Sequence, residues 1–160
     1  MYKKVMLTLD GSALARAAIG QVATLVSGTG AEVVVVHVVQ PMDTLRNVAW
    51  GFYELTDGEP TKVEGLAEQW HFERNQRAMA EVARAESELR AAGIEHVRTE
   101  VVDGMAELVI TGMAVREGCD AIVMATRGHG GLGREVIGSV AEYVLRHAGK
   151  MAVVLVGPQE

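Results

Sequence analysis

The sequence predicts an α/β chain, a three-layer doubly wound sandwich with a five-stranded parallel sheet. Three observations carry this. Short apolar runs alternate with amphipathic helical stretches, which implies βαβ crossovers with helices on both sheet faces. Glu32 to Val39, EVVVVHVV, is apolar almost throughout, as expected of a strand covered on both sides. A glycine-rich segment follows the apolar run ending near Ala125 and leads into the last helix.

Lys4 to Leu9 reads as the first strand, closed by an Asp10–Gly11 turn. Ser12 can cap a helix to about Ser27, with Leu14, Ala18, Val22 and Leu25 on one face, and Gly28 to Gly30 stop it. After the second strand, Met42 to Val63 carries Trp50, Phe52 and Tyr53 among Asp, Gly and Pro residues. It reads as a long irregular connection: a lid, a dimer contact, or a loop packed by its own aromatics. Leu66 to Arg90 is helical, with Phe72, Met79, Val82 and Leu89 expected to face the core. Ile94 to Val102 is the third strand. In it Val97, Thr99 and Val101 alternate with Arg98 and Glu100, which places it at a sheet edge with one face toward solvent and fits a flavodoxin-like or related order. A helix over Ala106 to Arg116, a strand over Ala121 to Ala125, a helix over Ser139 to His147 and a strand over Met151 to Val156 complete one domain of 160 residues. Ligand is expected at the carboxyl ends of the central strands.

The net charge of −6 argues against broad nucleic-acid or anionic-membrane binding, since both need a basic surface. With Cys119 alone no intrachain disulfide forms, and a reducing, cytoplasmic setting is expected. No signal segment or membrane span is legible in the sequence. His71, His96 and His147 show no metal-ligand spacing, and His37 reads as a satisfied histidine in an apolar strand.

The chemistry concentrates in Met124 to Ser139, MATRGHGGLGREVIGS. Glycines let backbone amides crowd around an anion, and a helix N-terminus adds unpaired donors, so phosphate binding is expected. Ser139-Val140-Ala141-Glu142 fits a capping box in which Ser139 accepts from the Glu142 amide while its hydroxyl proton stays free for a phosphate. Arg127, His129 and Arg134 add donors. The plain alternative is a glycine-rich connection with Ser139 as a cap only. A P-loop is excluded because Ile137–Gly138 precede Ser139 with no lysine, and a dinucleotide fingerprint is disfavoured because the loop follows the fourth strand.

Ala125-x2-Gly128-x9-Gly138-Ser139, the following SVAEYVLRHA, the opening VMLTLDGS and EVVVVHVVQP together resemble the universal stress protein family, whose ATP-binding members carry G-x2-G-x9-G-[ST] in this loop. The resemblance spans nearly the whole chain and is weakest from about Met42 to Glu68. It implies the adenine nucleotide alpha hydrolase-like arrangement with strand order 3-2-1-4-5, ATP with Mg2+ as the ligand, and a role in stress response or signalling. Implied nucleotide contacts are Thr8, Leu9 and Asp10 at the end of the first strand, and Val38, whose backbone meets the adenine ring. The phosphate side comprises Met124, Ala125, Arg127, Gly128, His129, Gly130, Gly138, Ser139 and Val140. For Asp10 the plain alternative is a turn-forming residue. Ala125 departs from the family glycine: harmless in an extended conformation, costly where φ must be positive.

No Ser–His–Asp arrangement, paired carboxylates or metal cluster is legible, so binding without efficient turnover is expected, with at most weak ATP hydrolysis. Hydrolysis needs a residue that positions water, for which His129 and Glu135 are the loop's candidates. Two other readings stand beside it: a non-binding dimeric interaction protein with a relict loop, and an ATPase or nucleotidyl-transfer enzyme of the same fold. Met151 to Val156, MAVVLV, is too apolar for an open edge and is expected to pair in a homodimer, as the family commonly does. A further protein partner is implied without being identified.

Overall fold

The computed structural model describes residues 1–56, 60–126 and 137–157. In chain order the elements are β1 (Lys4–Leu9), α1 (Ala13–Val26), β2 (Glu32–Val39), α2 (Met42–Thr56), α3 (Pro60–Ala91), β3 (Val97–Asp103), α4 (Ala106–Glu117), β4 (Ala121–Ala125), α5 (Ser139–His147) and β5 (Ala152–Val156). All strand pairs are parallel and the order is β3-β2-β1-β4-β5, the order that the family resemblance implies. Chain direction across the sheet reverses between β1 and β4, so the topological switch point lies at their carboxyl ends.

Two apolar layers form because β-strand side chains alternate. Val5, Leu7, Val33, Val35 and Val123 face α1 and α3, against Ala18, Val22, Val82, Ala85 and Leu89. Met6, Val34, Val36, Ile122 and Met124 face α4 and α5, against Ile110, Met113, Ala141 and Val144. β3 and β5 are the edges. Arg98 on β3 lies in a charged strip with Glu100, Glu117 and Glu32, and Lys4 reaches Glu32 at 2.9 Å, so this edge is charged rather than bare. The β1–β4 junction is pinned by Asp120, whose Oδ2 accepts the amides of Lys3 (2.6 Å) and Lys4 (2.9 Å). Those backbone bonds, Lys3 first, hold its carboxyl below the ordinary range. Burial pushes the Cys119 thiol up to about 11, so it stays protonated and inert at neutral pH.

Two expectations are corrected here. Met42 to Val63 is not an irregular loop: α2 and α3 form a helical hairpin with its own small core. Leu45 and Ala49 on α2, and Val63 and Ala67 on α3, are buried pairs spaced by four, a spacing that stacks side chains on one helix face. The aromatics do pack locally, Trp50 edge-on to Tyr53 at 5.3 Å and Phe52 to Trp70 at 5.9 Å. Arg46 forks onto Glu64 at 2.7 and 2.9 Å, tying the two helices. On α3 the expected core face holds for Val82 and Leu89 and fails for Phe72 and Met79. Ala78, Val82, Ala85 and Leu89 are buried, whereas Phe72 and Met79 are 64% and 56% exposed. At about 100° per residue, positions 72 and 79 lie roughly a third of a turn from the 78–82–85–89 stripe.

Candidate functional site

A cavity of about 860 Å³ opens at the carboxyl end of the sheet, lined by Asp10 and Gly11 after β1, Arg16 of α1, His37 to Val39 of β2 and the following Gln40, Val140 of α5, and Arg74, Arg77, Ala80, Glu81 and Arg84 of α3. Each wall has a local cause. Asp10 Oδ1 accepts the Ser12 amide at 2.9 Å, and Gly11 sits at φ 81°, so the chain turns sharply out of β1. Ser12 Oγ then caps α1 through the Ala15 amide at 3.0 Å. The turn reading of Asp10 therefore holds, and it leaves Oδ2 without a partner among the described residues. Arg16 donates to Gly11 O at 2.9 Å, closing the same turn.

The N-terminus of α5 forms the opposite wall. Gly138 is its N-cap, with φ −64° and ψ 152°, and no side chain caps the helix. Ser139 is thus the first helical residue, which corrects the capping-box reading: Glu142 donates to the Gly138 carbonyl at 2.9 Å, not to Ser139 Oγ. Ser139 is exposed and its hydroxyl is uncommitted to capping. The amides of Ser139, Val140 and Ala141 precede the helix's first internal hydrogen bond, so they carry the unpaired donors and partial positive charge of a helix start. Gly138 N–H to Thr126 O at 2.7 Å fixes this end against the top of β4. Thr126 Oγ1 is buried there without a partner among the described residues.

Of the residues singled out from sequence, the fold brings Asp10, Val38 and Val140 to the cavity wall, with Gly138 and Ser139 next to Val140. Thr8, Leu9, Met124 and Ala125 lie in the strands beneath, each at least nine-tenths buried, and do not line it. Arg127, Gly128, His129, Gly130, Arg134 and Glu135 lie outside the described residues. Ala125 is extended, in register with Val156 of β5, so the conformation that would penalise a methyl is not required.

The α3 wall went unnoticed in the sequence. Arg74, Arg77, Glu81 and Arg84 follow i, i+3, i+7, i+10, one helical face, and that spacing is the signal that marks them. With Arg16, four guanidinium groups face two carboxylates, a local excess of positive charge in a chain of net charge −6. Arg74 is steadied by Gln40 at 2.9 Å, and Arg84 by Glu88 at 2.8 Å. His37 Nδ1 meets Glu81 Oε2 at 2.6 Å, and His71 of α3 stands 3.6 Å from Asp103 at the end of β3. Two histidine–carboxylate contacts therefore tie α3 to the strand ends.

In a doubly wound parallel sheet the crevice at the carboxyl ends of the strands, by the switch point, is the general place for a ligand, and here it has a basic wall. Sequence comparison narrows the class. The family model described as the universal stress protein family matches residues 1–156, and the chain belongs to that family. Universal stress protein MJ0531 of Methanocaldococcus jannaschii is 30% identical over 160 residues, covering 100% of this chain and 85% of that protein. Among solved structures, universal stress protein UspA from Lactobacillus plantarum superimposes with a TM-score of 0.78 at 17% identity, covering 97% of each chain. The universal stress protein from Archaeoglobus fulgidus in complex with dAMP gives 0.66 at 18% identity, covering 97% of this chain and 98% of that one. A universal stress protein in complex with cAMP gives 0.64 at 16%, covering 99% and 98%. At these identities the structural likenesses establish the fold.

Proposed function

We propose that this chain binds an adenine nucleotide, ATP by preference and with Mg2+ on its phosphates, and acts as a nucleotide-dependent stress or signalling module rather than an efficient enzyme. The observation that carries this reading is the cavity that joins Asp10, Val38 and Val140 under a row of α3 arginines. Its volume falls within the roughly 300–1,000 Å³ of small-molecule sites. The ligand's adenosine half lies against β2 and α3, where Val38, Val39 and Ala80 supply apolar surface. Its phosphates lie toward the amides of Ser139 to Ala141, where a helix start favours negative charge. Asp10 Oδ2 is available to a ribose hydroxyl, and a phosphate-bound Mg2+ would find its remaining oxygens in water or Asp10. That two universal stress proteins of the same fold carry dAMP and cAMP supports an adenine ligand.

The half-buried apolar β5 edge supports a homodimer through Met151 to Val156. A sedimentation experiment giving only monomer at micromolar concentration contradicts that part. No helix among the described residues is long and apolar enough to cross a membrane. The lone buried Cys119 suits a reducing, cytoplasmic setting.

The test is to denature freshly purified protein and chromatograph what leaves it. Near-stoichiometric adenine nucleotide is the expected result. A sample that releases none, and takes up none when ATP and Mg2+ are supplied, refutes the reading.

A further inference from the structure

The cavity holds one arrangement that nucleotide binding through backbone groups does not use. His37 lies two residues before the end of β2 with its side chain on the α3 side of the sheet, and its Nδ1 lies 2.6 Å from Glu81 Oε2. Glu81 is about nine-tenths buried, with a side-chain exposure of 10%, and its second oxygen Oε1 is sealed without a hydrogen-bond partner among the described residues. Burying a carboxylate with one oxygen unpaired costs folding free energy, and a purely structural role would be served more cheaply by an apolar pair. The carboxylate does accomplish one thing. Because Nδ1 faces an acceptor, it must carry the ring proton, which fixes the tautomer and leaves Nε2 as a bare acceptor in the neutral imidazole. Nε2 makes no hydrogen bond with a described residue and is not among the sealed atoms, while His37 lines the cavity. It shares the cavity with the apolar residues Val38, Val39 and Ala80.

We propose that His37, positioned by Glu81, sets base specificity: Nε2 accepts a hydrogen bond from the exocyclic amine of a 6-aminopurine and opposes the carbonyl of a 6-oxopurine. This rests on the nucleotide reading and names the side chain that makes it selective. The four arginines of the wall cannot substitute for it, since guanidinium groups only donate and would favour the 6-oxo base. Gln40 Oε1, another uncharged acceptor of the lining, is taken up by Arg74 at 2.9 Å, whereas His37 Nε2 accepts from no described residue. A site built around one such acceptor distinguishes the two bases by about tenfold or more, because the wrong base leaves two acceptors facing each other.

The experiment is calorimetric titration of ATP and of ITP, with Mg2+, into the full chain and into H37A and H37Q. It is run at about pH 8. The native chain is expected to prefer ATP by about tenfold or more. In H37A, ATP binding weakens by about tenfold while ITP binding changes less than about twofold, so the preference disappears. H37Q keeps the side-chain volume and presents either an oxygen or an amine; it is expected to bind both nucleotides with similar affinity. Equal weakening of ATP and ITP in both variants, or an unchanged ATP preference, overturns the assignment and leaves nucleotide binding standing. A native chain that binds neither nucleotide overturns the nucleotide reading and this proposal with it.

Discussion

Restoring the family glycine at position 125 tests whether the departure from the loop pattern matters. Ala125 lies at the end of β4, paired with Val156, 7% exposed, with its methyl in the layer facing α1. A125G removes one buried methyl, about 0.8 kcal/mol, and frees a strand backbone in the unfolded state at a further cost of about 0.5–1 kcal/mol. The expected loss is about 1.5 kcal/mol. For a domain of this length that lowers the unfolding midpoint by about 3–6 °C. Nucleotide affinity should stay within about twofold, since the extended backbone at this position does not need glycine. Urea unfolding and calorimetric titration of the same preparation read both quantities. A variant that is no less stable, or that binds ATP tenfold more tightly, refutes the reasoning, because the methyl would then be obstructing the ligand instead of filling the core.

S139A should leave stability within about 0.5 kcal/mol, because Ser139 is exposed and caps nothing, while weakening ATP binding by about three- to tenfold through one lost hydrogen bond. S12A removes the acceptor of the Ala15 amide and should cost about 1 kcal/mol in urea unfolding, with little effect on the cavity's lining. Stability should decline in acid. The Lys4 side chain, bonded to Glu32, holds that carboxyl below its ordinary 4.5, and the Lys3 and Lys4 amides hold Asp120 below 3.8. Carboxyls depressed in the folded state stabilise it above their unfolded values and lose that contribution as pH falls through the folded ones. Unfolding midpoints should therefore begin to drop near pH 4.5 and continue to drop below pH 3.8. The paired Lys4 is raised above 10.5 and acts oppositely, its contribution present below that value and fading in strong alkali. A flat profile from pH 5 down to about 2 would contradict the carboxylate assignments.

The parallel sheet was legible because its inner strands are continuous apolar runs, and β3 announced its edge position through the alternation of Arg98 and Glu100 with Val97, Thr99 and Val101. The α2–α3 hairpin was not legible. Gly51, Gly58 and Pro60 look like punctuation, yet Gly51 sits within α2 and Pro60 opens α3, where a missing amide costs nothing. The small core of Leu45, Ala49, Val63 and Ala67 overrides the glycine's weak propensity. At the site, the β1 turn and the α5 start could be read from local pattern. The arginine wall could not be assigned, because nothing local says which face of a 32-residue helix looks into a cavity. His37 read as a satisfied core histidine, and the bond to Glu81 satisfies half of it. The partner stands 44 residues away, a relation no spacing reveals.

In the proposed binding mode, main-chain amides at the start of α5, across the cavity from the end of β2, seat the adenine nucleotide. Amide NMR during titration with ATP and Mg2+ observes those groups directly. Saturable shifts are expected at Gly11, Val38 and Val39 and at Ser139 to Ala141, with the far edge of the sheet unmoved. Saturable binding whose shifts lie elsewhere, or spectra that ATP leaves unchanged, would contradict it.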